Sequence, residues 1–376
     1  MSDGLVRVHR EFTAWLFGRA YPFWLDIGCD RGGEFGAEEH LTLAGVPARP
    51  GFKRLRVQAR QLYAFTFAAL RGVDGAAGRA EGVYRFMMRA RREDGGWARR
   101  LGEDGTVLDA RAELYDIAFV IFALAWYERL ARDGVAARVA RETIGWLYRA
   151  MATGRGGFHV MLPVEAGLLQ QNPHMHLLEA ALAVFETTGE ERDLGFVNDL
   201  LALFGRHLFD ERSGTLGEYF GADWSPAAGA AGEVVEPGHH FEWVWLLHEH
   251  ARLTGGGVRP EAGRLYAMAR FYGVDRESGL VFDTVDRAGV VTGQGARLWA
   301  QTEALRADCA MGEGVRAATV GENLLGKYFP AVFEGGWMDQ FSADGQAASD
   351  KIPASSFYHI VAGWAELDRF VGNSAH

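Results

Sequence analysis

Little in this chain points to a membrane, a nucleic acid or a disulfide scaffold. There are only two cysteines, Cys29 and Cys309, with no CxxC spacing, so buried thiols in a reducing compartment are expected rather than a disulfide framework. The longest uncharged apolar runs, such as Ile117 to Tyr127, fall far short of a membrane span. Acidic residues outnumber basic ones by 49 to 39, a net charge of −10, which argues against nucleic acid or an anionic membrane as partner. The stretch MSDGLVRVHREFTAW has no apolar segment behind a basic start, so no secretory signal is expected and a cytoplasmic location is. No GxGxxG follows a strand, and there is no GxxxxGK[ST] or GxSxG, which leaves nucleotide binding and serine-hydrolase chemistry unsupported. HExxH, paired cysteines and Asp-rich loops are also missing, and His174-Met175-His176 cannot chelate from one helical face. No metal and no cofactor are therefore expected.

What the chain does have is a repeat. Six short Gly/aromatic or Gly/aliphatic turns recur: Gly32-Gly33-Glu34-Phe35, Gly95-Gly96-Trp97, Gly156-Gly157-Phe158, Gly214-Thr215-Leu216, Gly279-Leu280-Val281 and Gly335-Gly336-Trp337. Their first glycines are 63, 61, 58, 65 and 56 residues apart, so six units fill all 376 residues. Counted from those glycines, Arg60 falls at +28, Tyr115, His176 and Trp299 at +20, His239 at +25 and His359 at +24. This shared phase predicts six segments presenting polar groups at one height.

Two sets of helices alternate between the turns. Arg56 to Leu70, Ala112 to Leu130, Pro173 to Thr188, Gly238 to Thr254, Leu298 to Ala310 and Ser355 to Phe370 are apolar all round, as helices buried on both sides should be. Val6 to Arg19, Glu81 to Arg92, Ala136 to Met151, Glu190 to Leu208, Arg259 to Phe271 and Glu313 to Tyr328 are more charged and clearly amphipathic. The expected fold is one all-α domain over 1–376, an (α/α)6 barrel of six inner and six outer helices. No linker, charge block or low-complexity tract interrupts it. Ala222 to Glu233 reads as a solvated surface loop, with a loop over the pocket as the alternative.

Three inner helices begin alike. Asn172-Pro173 leads to His174 and His176, Pro237-Gly238 to His239 and His240, and Pro353 to Ser355, Ser356 and His359. Proline suits the first helical position, where its missing N–H would be unpaired anyway. Histidines in the first turns at one rim feel the positive helix ends, which favour the neutral imidazole and a developing oxyanion. His176 and Glu179, and His239 and Glu242, are i, i+3 pairs, Trp243 follows on the same side, and Trp299 and Glu303 are i, i+4. Arg56, Arg60 and Tyr63 share one helix face, with Arg56 read as a structural ion-pair partner. His174, His240, His248 and His250 are off phase and read as structural. Trp24 and Tyr115 fit either core packing or a pocket wall.

Val57-Gln58-Ala59-Arg60-Gln61-Leu62-Tyr63, Leu114-Tyr115-Asp116-Ile117-Ala118-Phe119, Asn172 to Ala180, Pro237 to Trp243 and Arg297 to Glu303 together resemble the N-acylglucosamine 2-epimerase superfamily. The ending Ile352-Pro353-Ala354-Ser355-Ser356-Phe357-Tyr358-His359 resembles its mannose isomerase branch. The resemblance runs from the first turn to the last helix. It implies an (α/α)6 barrel that interconverts aldoses and ketoses, or C2 epimers, without a metal. It further implies that His239 and His359 form the acid/base pair, that Arg60 holds the substrate oxygens and the enediolate, and that His176 opens and anchors the sugar ring. Glu242 would orient or charge a neighbouring histidine, and Trp299 and Glu303 would bind sugar. Tyr115, Asn172, Glu179 and Trp243 complete the expected substrate-binding set, and Trp24, Trp243, Trp299 and Phe357 are candidate flat walls for a sugar ring. The family's Trp-Pro-Gln-Thr-Glu is Trp299-Ala300-Gln301-Thr302-Glu303 here.

The expected activity is isomerisation of a free monosaccharide, D-mannose to D-fructose, with 2-epimerisation through the same cis-enediolate as the alternative. A glycoside hydrolase would use Glu179, Glu242 or Glu303 and leave the histidines idle, and a pure binding protein would have little use for three unpaired histidines. A disaccharide would need an insertion for a second subsite, and an anionic sugar an additional basic group; neither is identifiable in the sequence. The expected partner is a monosaccharide, with a homodimer through outer helices entertained for assembly.

Overall fold

The computed structural model describes residues 3–29, 36–165, 167–330 and 333–373. The inner helices are Leu55–Leu70, Leu114–Ala131, Gln171–Thr188, Pro237–Thr254, Leu298–Ala310 and Phe357–Asn373, the last entered through a 3-10 turn at Ala354–Ser356. They are buried on all sides: in the first, every residue from Val57 to Ala68 is buried. The outer helices, Asp3–Trp15, Ala76–Met88, Val135–Ala150, Leu194–Leu203, Glu261–Tyr272 and Gly314–Asn323, bury one stripe each, as Leu5, Val8 and Phe12 do in the first. The first of them continues through a π turn at Leu16–Ala20 into Tyr21–Asp26, further than its charge pattern suggested. The fold is the expected (α/α)6 barrel.

A collar of short strands, not foreseen from the sequence, sets where the inner helices start. Just before them run Lys53–Arg54, Ala112–Glu113, Leu169–Gln170, Val234–Val235, Ala296–Arg297 and Lys351–Pro353. Each pairs antiparallel with the hairpin of the following repeat, and the last closes the ring on His40–Thr42 of the first. The residue preceding each helix is extended and offers no side-chain cap. The first helical N–H would be an orphan, but the neighbouring hairpin accepts it: Leu55 donates to Arg99 O, Leu114 to Val160 O, Gln171 to Glu218 O, Leu298 to Asp339 O and Ala354 to Glu39 O. The fourth helix opens instead on Pro237, which has no N–H to satisfy.

A second tie runs from the fourth residue of the inner helices to the Gly turns. Gln58 spans the N–H and C=O of Ala37 (2.7 and 2.9 Å), and Gln301 those of Val281 (2.9 and 3.1 Å). His174 accepts the Phe158 N–H at 3.0 Å and donates to Gln170 O at 2.7 Å; His240 does the same with Leu216 and Glu236. In the other two repeats the fourth residue is apolar, Ile117 or Phe357, and the turn carries Trp97 or Trp337 instead. Phe357 stacks on Trp337 at 5.6 Å. Gly32-Gly33-Glu34-Phe35 lies outside the described residues. The residue that bridges and is clamped in the first repeat is Ala37, so its register lies three residues later than the turn spacing implied.

The segment from Ala222 to Glu233 is a mostly exposed surface segment, as expected, and not a lid: none of it lines the cavity described below. Trp224 is buried and donates to Gly156 O at 2.9 Å, and Arg287 donates to Gly232 O, which pins the segment to neighbouring hairpins. Trp24 belongs to the core, stacked against Trp337 and Phe357.

Candidate active site

Because the collar fixes where each inner helix starts, equal positions along the helices form rings across the bore. The second residues are Arg56, Tyr115, Asn172, Gly238, Trp299 and Ser355; the sixth are Arg60, Phe119, His176, Glu242, Glu303 and His359. The ninth are Tyr63, Phe122, Glu179, Trp245, Arg306 and Ala362. A cavity of about 290 Å³ occupies the first two rings, lined by Arg60, Tyr115, Asn172, His176, His239, Glu242, Trp299 and His359, with Glu236, Arg297, Asp339, Pro353, Ser355 and Ser356. A second cavity, of about 280 Å³, opens from the other end of the barrel, with the ninth-residue ring as its floor.

The structure thus brings eight of the eleven expected site residues to one cavity, and the other three need correction. Glu179 is one helical turn deeper than His176. It accepts from Tyr358 and from Arg306 Nη2 (3.1 Å) and faces His176 Nδ1 at 3.3 Å, beneath the cavity rather than in its wall. Glu303 likewise sits under the wall, with His359 Nδ1 at 2.7 Å and Arg306 Nη1 at 2.8 Å. Trp243 points away from the bore: its indole donates to Gln171 at 2.9 Å and stacks on Phe204 at 4.3 Å. One residue along a helix is about 100° of rotation, so Trp243 cannot follow Glu242 inward. Trp299 alone of the four candidate ring walls faces the cavity, 5.0 Å from the His239 ring and 5.9 Å from that of His359. Arg56 is held by Glu113 (3.1 Å) and Asp116 (3.3 Å).

Two carboxylates come from hairpins that the sequence reading passed over. Glu218, rather than the i, i+3 neighbour Glu242, accepts His239 Nδ1–H at 3.0 Å, and the histidine beside Glu242 is His176, at 3.4 Å. Asp339 accepts Ser356 O–H at 2.5 Å. Both lie four residues past the first glycine of their turn, as do Asp283, Val160 and Arg99, and that phase was the available signal. Arg297, also missed, is the second cation in the wall, neutralised by Glu236 and Asp283, both at 2.8 Å.

The electrostatics divide the histidines. Burial, reinforced by Arg60, His176 and Arg306, drives the His359 imidazolium well below its ordinary 6.5. Burial lowers His176 to about 4 despite Glu179. For His239 burial also lowers, but Glu218 and Glu236 outweigh it and the net shift is upward. Nδ1 of both His239 and His359 is committed to a carboxylate, which leaves each Nε2 for the cavity. Burial, with Glu303 and Glu179 nearby, raises Glu242 well above the carboxylate range, and its two oxygens, like Asn172 Oδ1, have no protein hydrogen-bond partner among the described residues. Arg60 donates to Tyr115 O–H at 2.7 Å and stacks on Phe119 at 4.0 Å, with no carboxylate ion pair among the described residues. Donors for a cation converge at His176, Glu179 and Glu242, and at Glu218, Glu236 and His239. Glu179 is already taken by Arg306 and Tyr358, and Glu218 by His239 and Gln171.

The chain carries the same architecture as known sugar enzymes. Its fold superposes on the structure of cellobiose 2-epimerase from Spirochaeta thermophila DSM 6192 with a TM-score of 0.86 at 26% identity, over 99% of this chain and 98% of that one. It is 34% identical to a Rhizobium meliloti (strain 1021) protein named mannose-6-phosphate isomerase, over 95% of this chain and 96% of that protein. It is 28% identical to the D-mannose isomerase of Thermobifida fusca over 80% and 81% of the two chains. Barrel, cavity and relatives together define a sugar isomerase or epimerase. The profile of the N-acylglucosamine 2-epimerase (GlcNAc 2-epimerase) family matches residues 36–363, and the chain belongs to that family. No helix among the described residues is long and apolar enough to cross a membrane.

Proposed function

We propose that this protein is a metal-independent aldose–ketose isomerase acting on an unphosphorylated monosaccharide, with D-mannose and D-fructose as the leading pair. The observation that carries the reading is the opposite preparation of two imidazoles on one small cavity: His359 held neutral and His239 held toward its protonated form. Groups whose environments push their pKa values apart are suited to base and acid roles. His359 Nε2 takes the proton from C2 of the open-chain aldose, and the C–H electrons form the C1=C2 bond. The charge moved onto O1 is met by the His239 imidazolium and Arg60. Return of the proton from His359 to C1, with the O2 proton removed as C2=O forms and one proton delivered to O1 through His239, gives the ketose. His176, neutral, serves ring opening, and Trp299 gives the sugar a flat wall.

The unpartnered oxygens of Glu242 and Asn172 suit the hydroxyls of a polyol. At about 290 Å³ the cavity lies at the small end of ligand pockets, roughly 300–1,000 Å³, which favours a monosaccharide. A phosphate dianion would meet the Glu236 carboxylate in the wall, while the Arg297 cation is already neutralised. The hydrolase alternative loses Glu179 and Glu303, which lie under the wall on Arg306. Epimerisation differs only in the last step, a proton delivered to C2 from the opposite face, and His239 stands as the donor for it.

NMR in D2O with EDTA-treated protein and mannose, glucose or fructose tests this. Fructose from mannose, with deuterium in the product, is expected. Glucose appearing ahead of fructose would make the protein a 2-epimerase. The absence of turnover and exchange with all three would overturn the reading.

A further inference from the structure

Glu179 and Glu303 lie together beneath the cavity and Glu242 beside them in its wall, at 3, 0 and 1% exposure. Burial holds Glu242 toward its neutral form, but carboxylates as buried as Glu179 and Glu303 need a cation. Arg306, on the fifth inner helix and itself 2% exposed, supplies it: Nη1 donates to Glu303 at 2.8 Å and Nη2 to Glu179 at 3.1 Å. Trp245 stacks on the guanidinium at 3.7 Å and fixes its plane. Arg306 does not line the substrate cavity; it forms the floor of the cavity on the other side.

A buried ion pair could serve the fold alone. Here, however, the second oxygen of each carboxylate is spent on an imidazole of the candidate site: Glu303 Oε1 on His359 Nδ1 and Glu179 Oε2 on His176 Nδ1. The result is one chain, His359–Glu303–Arg306–Glu179–His176. We propose that Arg306 is the positioning residue of this site, a single guanidinium that holds two carboxylate–histidine pairs in the tautomer with Nε2 open to the substrate. This rests on the acid/base reading of His359.

The groups facing Arg306 are Glu303 on its own helix, Glu179 on the third, Glu242 on the fourth, Tyr358 and His359 on the sixth, and Tyr63 on the first, with His176 behind Glu179 and Arg60 beside His176 and His359. Glu249 and Glu366, at the far mouth, are occupied by Arg252 and Arg369. Without Arg306 the buried carboxylates lose the cation that bridges them, and the Glu303–His359 pair captures a proton at a higher pH. With that proton on the imidazole, or on Glu303 Oε1 with the hydrogen bond to Nδ1 reversed, Nε2 carries hydrogen and its lone pair is lost as a base.

The test is Arg306→Met beside Arg306→Lys. The methionine variant should lose about a hundredfold or more in kcat with KM within about threefold, since the loss is of a proton-transfer step. The acid limb of its kcat/KM profile should move to higher pH. Lysine restores the charge but not the two-pronged grip, so it should recover about tenfold of the loss. Nitrogen-15 NMR of the imidazoles should show His176 and His359 leaving the Nδ1–H form in the methionine variant, a readout independent of turnover. Wild-type kcat and pH profile in the methionine variant, or unchanged tautomers, would overturn the proposal. If that variant does not fold, a wild-type profile for Arg306→Lys would overturn it as well. His359→Gln separates the two levels: full C2 proton exchange in that variant sinks the acid/base reading itself, while the tautomer measurement still judges Arg306.

Discussion

His174 and His176 lie two residues apart on one helix, and His239 and His240 are adjacent on the next, yet one of each pair ties backbone and the other faces the cavity. His174 and His240 each span the carbonyl of the extended residue preceding their helix and a hairpin N–H with both ring nitrogens. His176 and His239 spend only Nδ1, on a carboxylate. All four are buried, so burial does not distinguish a functional histidine from a structural one. The distinction lies in whether Nε2 has a protein partner.

Removing His359 should have the largest effect. His359→Ala should cost about a hundredfold or more in kcat/KM with little change in melting temperature; equal loss of both would place His359 with the clamping group. Next is the pH profile. His359 must be neutral to act, so activity should fall only as pH drops below 6.5, and His239 must be protonated, so it should fall as pH rises above 6.5. Glu218→Gln removes what raises His239, so the alkaline limb should move to lower pH. His174→Ala should do the reverse of the site variants. It strands the buried Phe158 N–H at about 1–3 kcal/mol, lowering the melting temperature by a few degrees while kcat of the folded protein stays within about twofold.

The smallest expected effect is the sharpest comparison. Burial holds folded His174 near 4, while the unfolded imidazole titrates near 6.5. The unfolded state therefore binds more protons between those values, and stability should fall as pH falls through that window. His174→Gln places there the residue that clamps at Gln58 and Gln301, so part of this acid sensitivity should disappear without loss of the tie at neutral pH. Thermal melts at pH 5 and pH 7.5 would show it.

The twelve helices were legible because helical periodicity extends over many residues. The collar was not, since two or three residues carry no period. Measuring phase from the glycines placed Tyr115 and His176 at one height although they belong to different rings, because the lengths of the intervening hairpins vary. For the same reason Asp339, which reaches the cavity from a hairpin, and Glu218, which backs His239 from another, are not legible along helix faces, where Glu179 and Glu303 read as wall rather than as its support.

The collar also sets which changes of length the chain can absorb. A residue inserted at the Arg287–Val290 turn, between paired strands, would leave every helix in register. The same residue inserted between Arg297 and Trp299 would turn Trp299 and Glu303 about 100° out of the bore together. Drift in repeat length should therefore collect in the hairpins, while the few residues between each collar strand and its sixth helical position stay fixed in number.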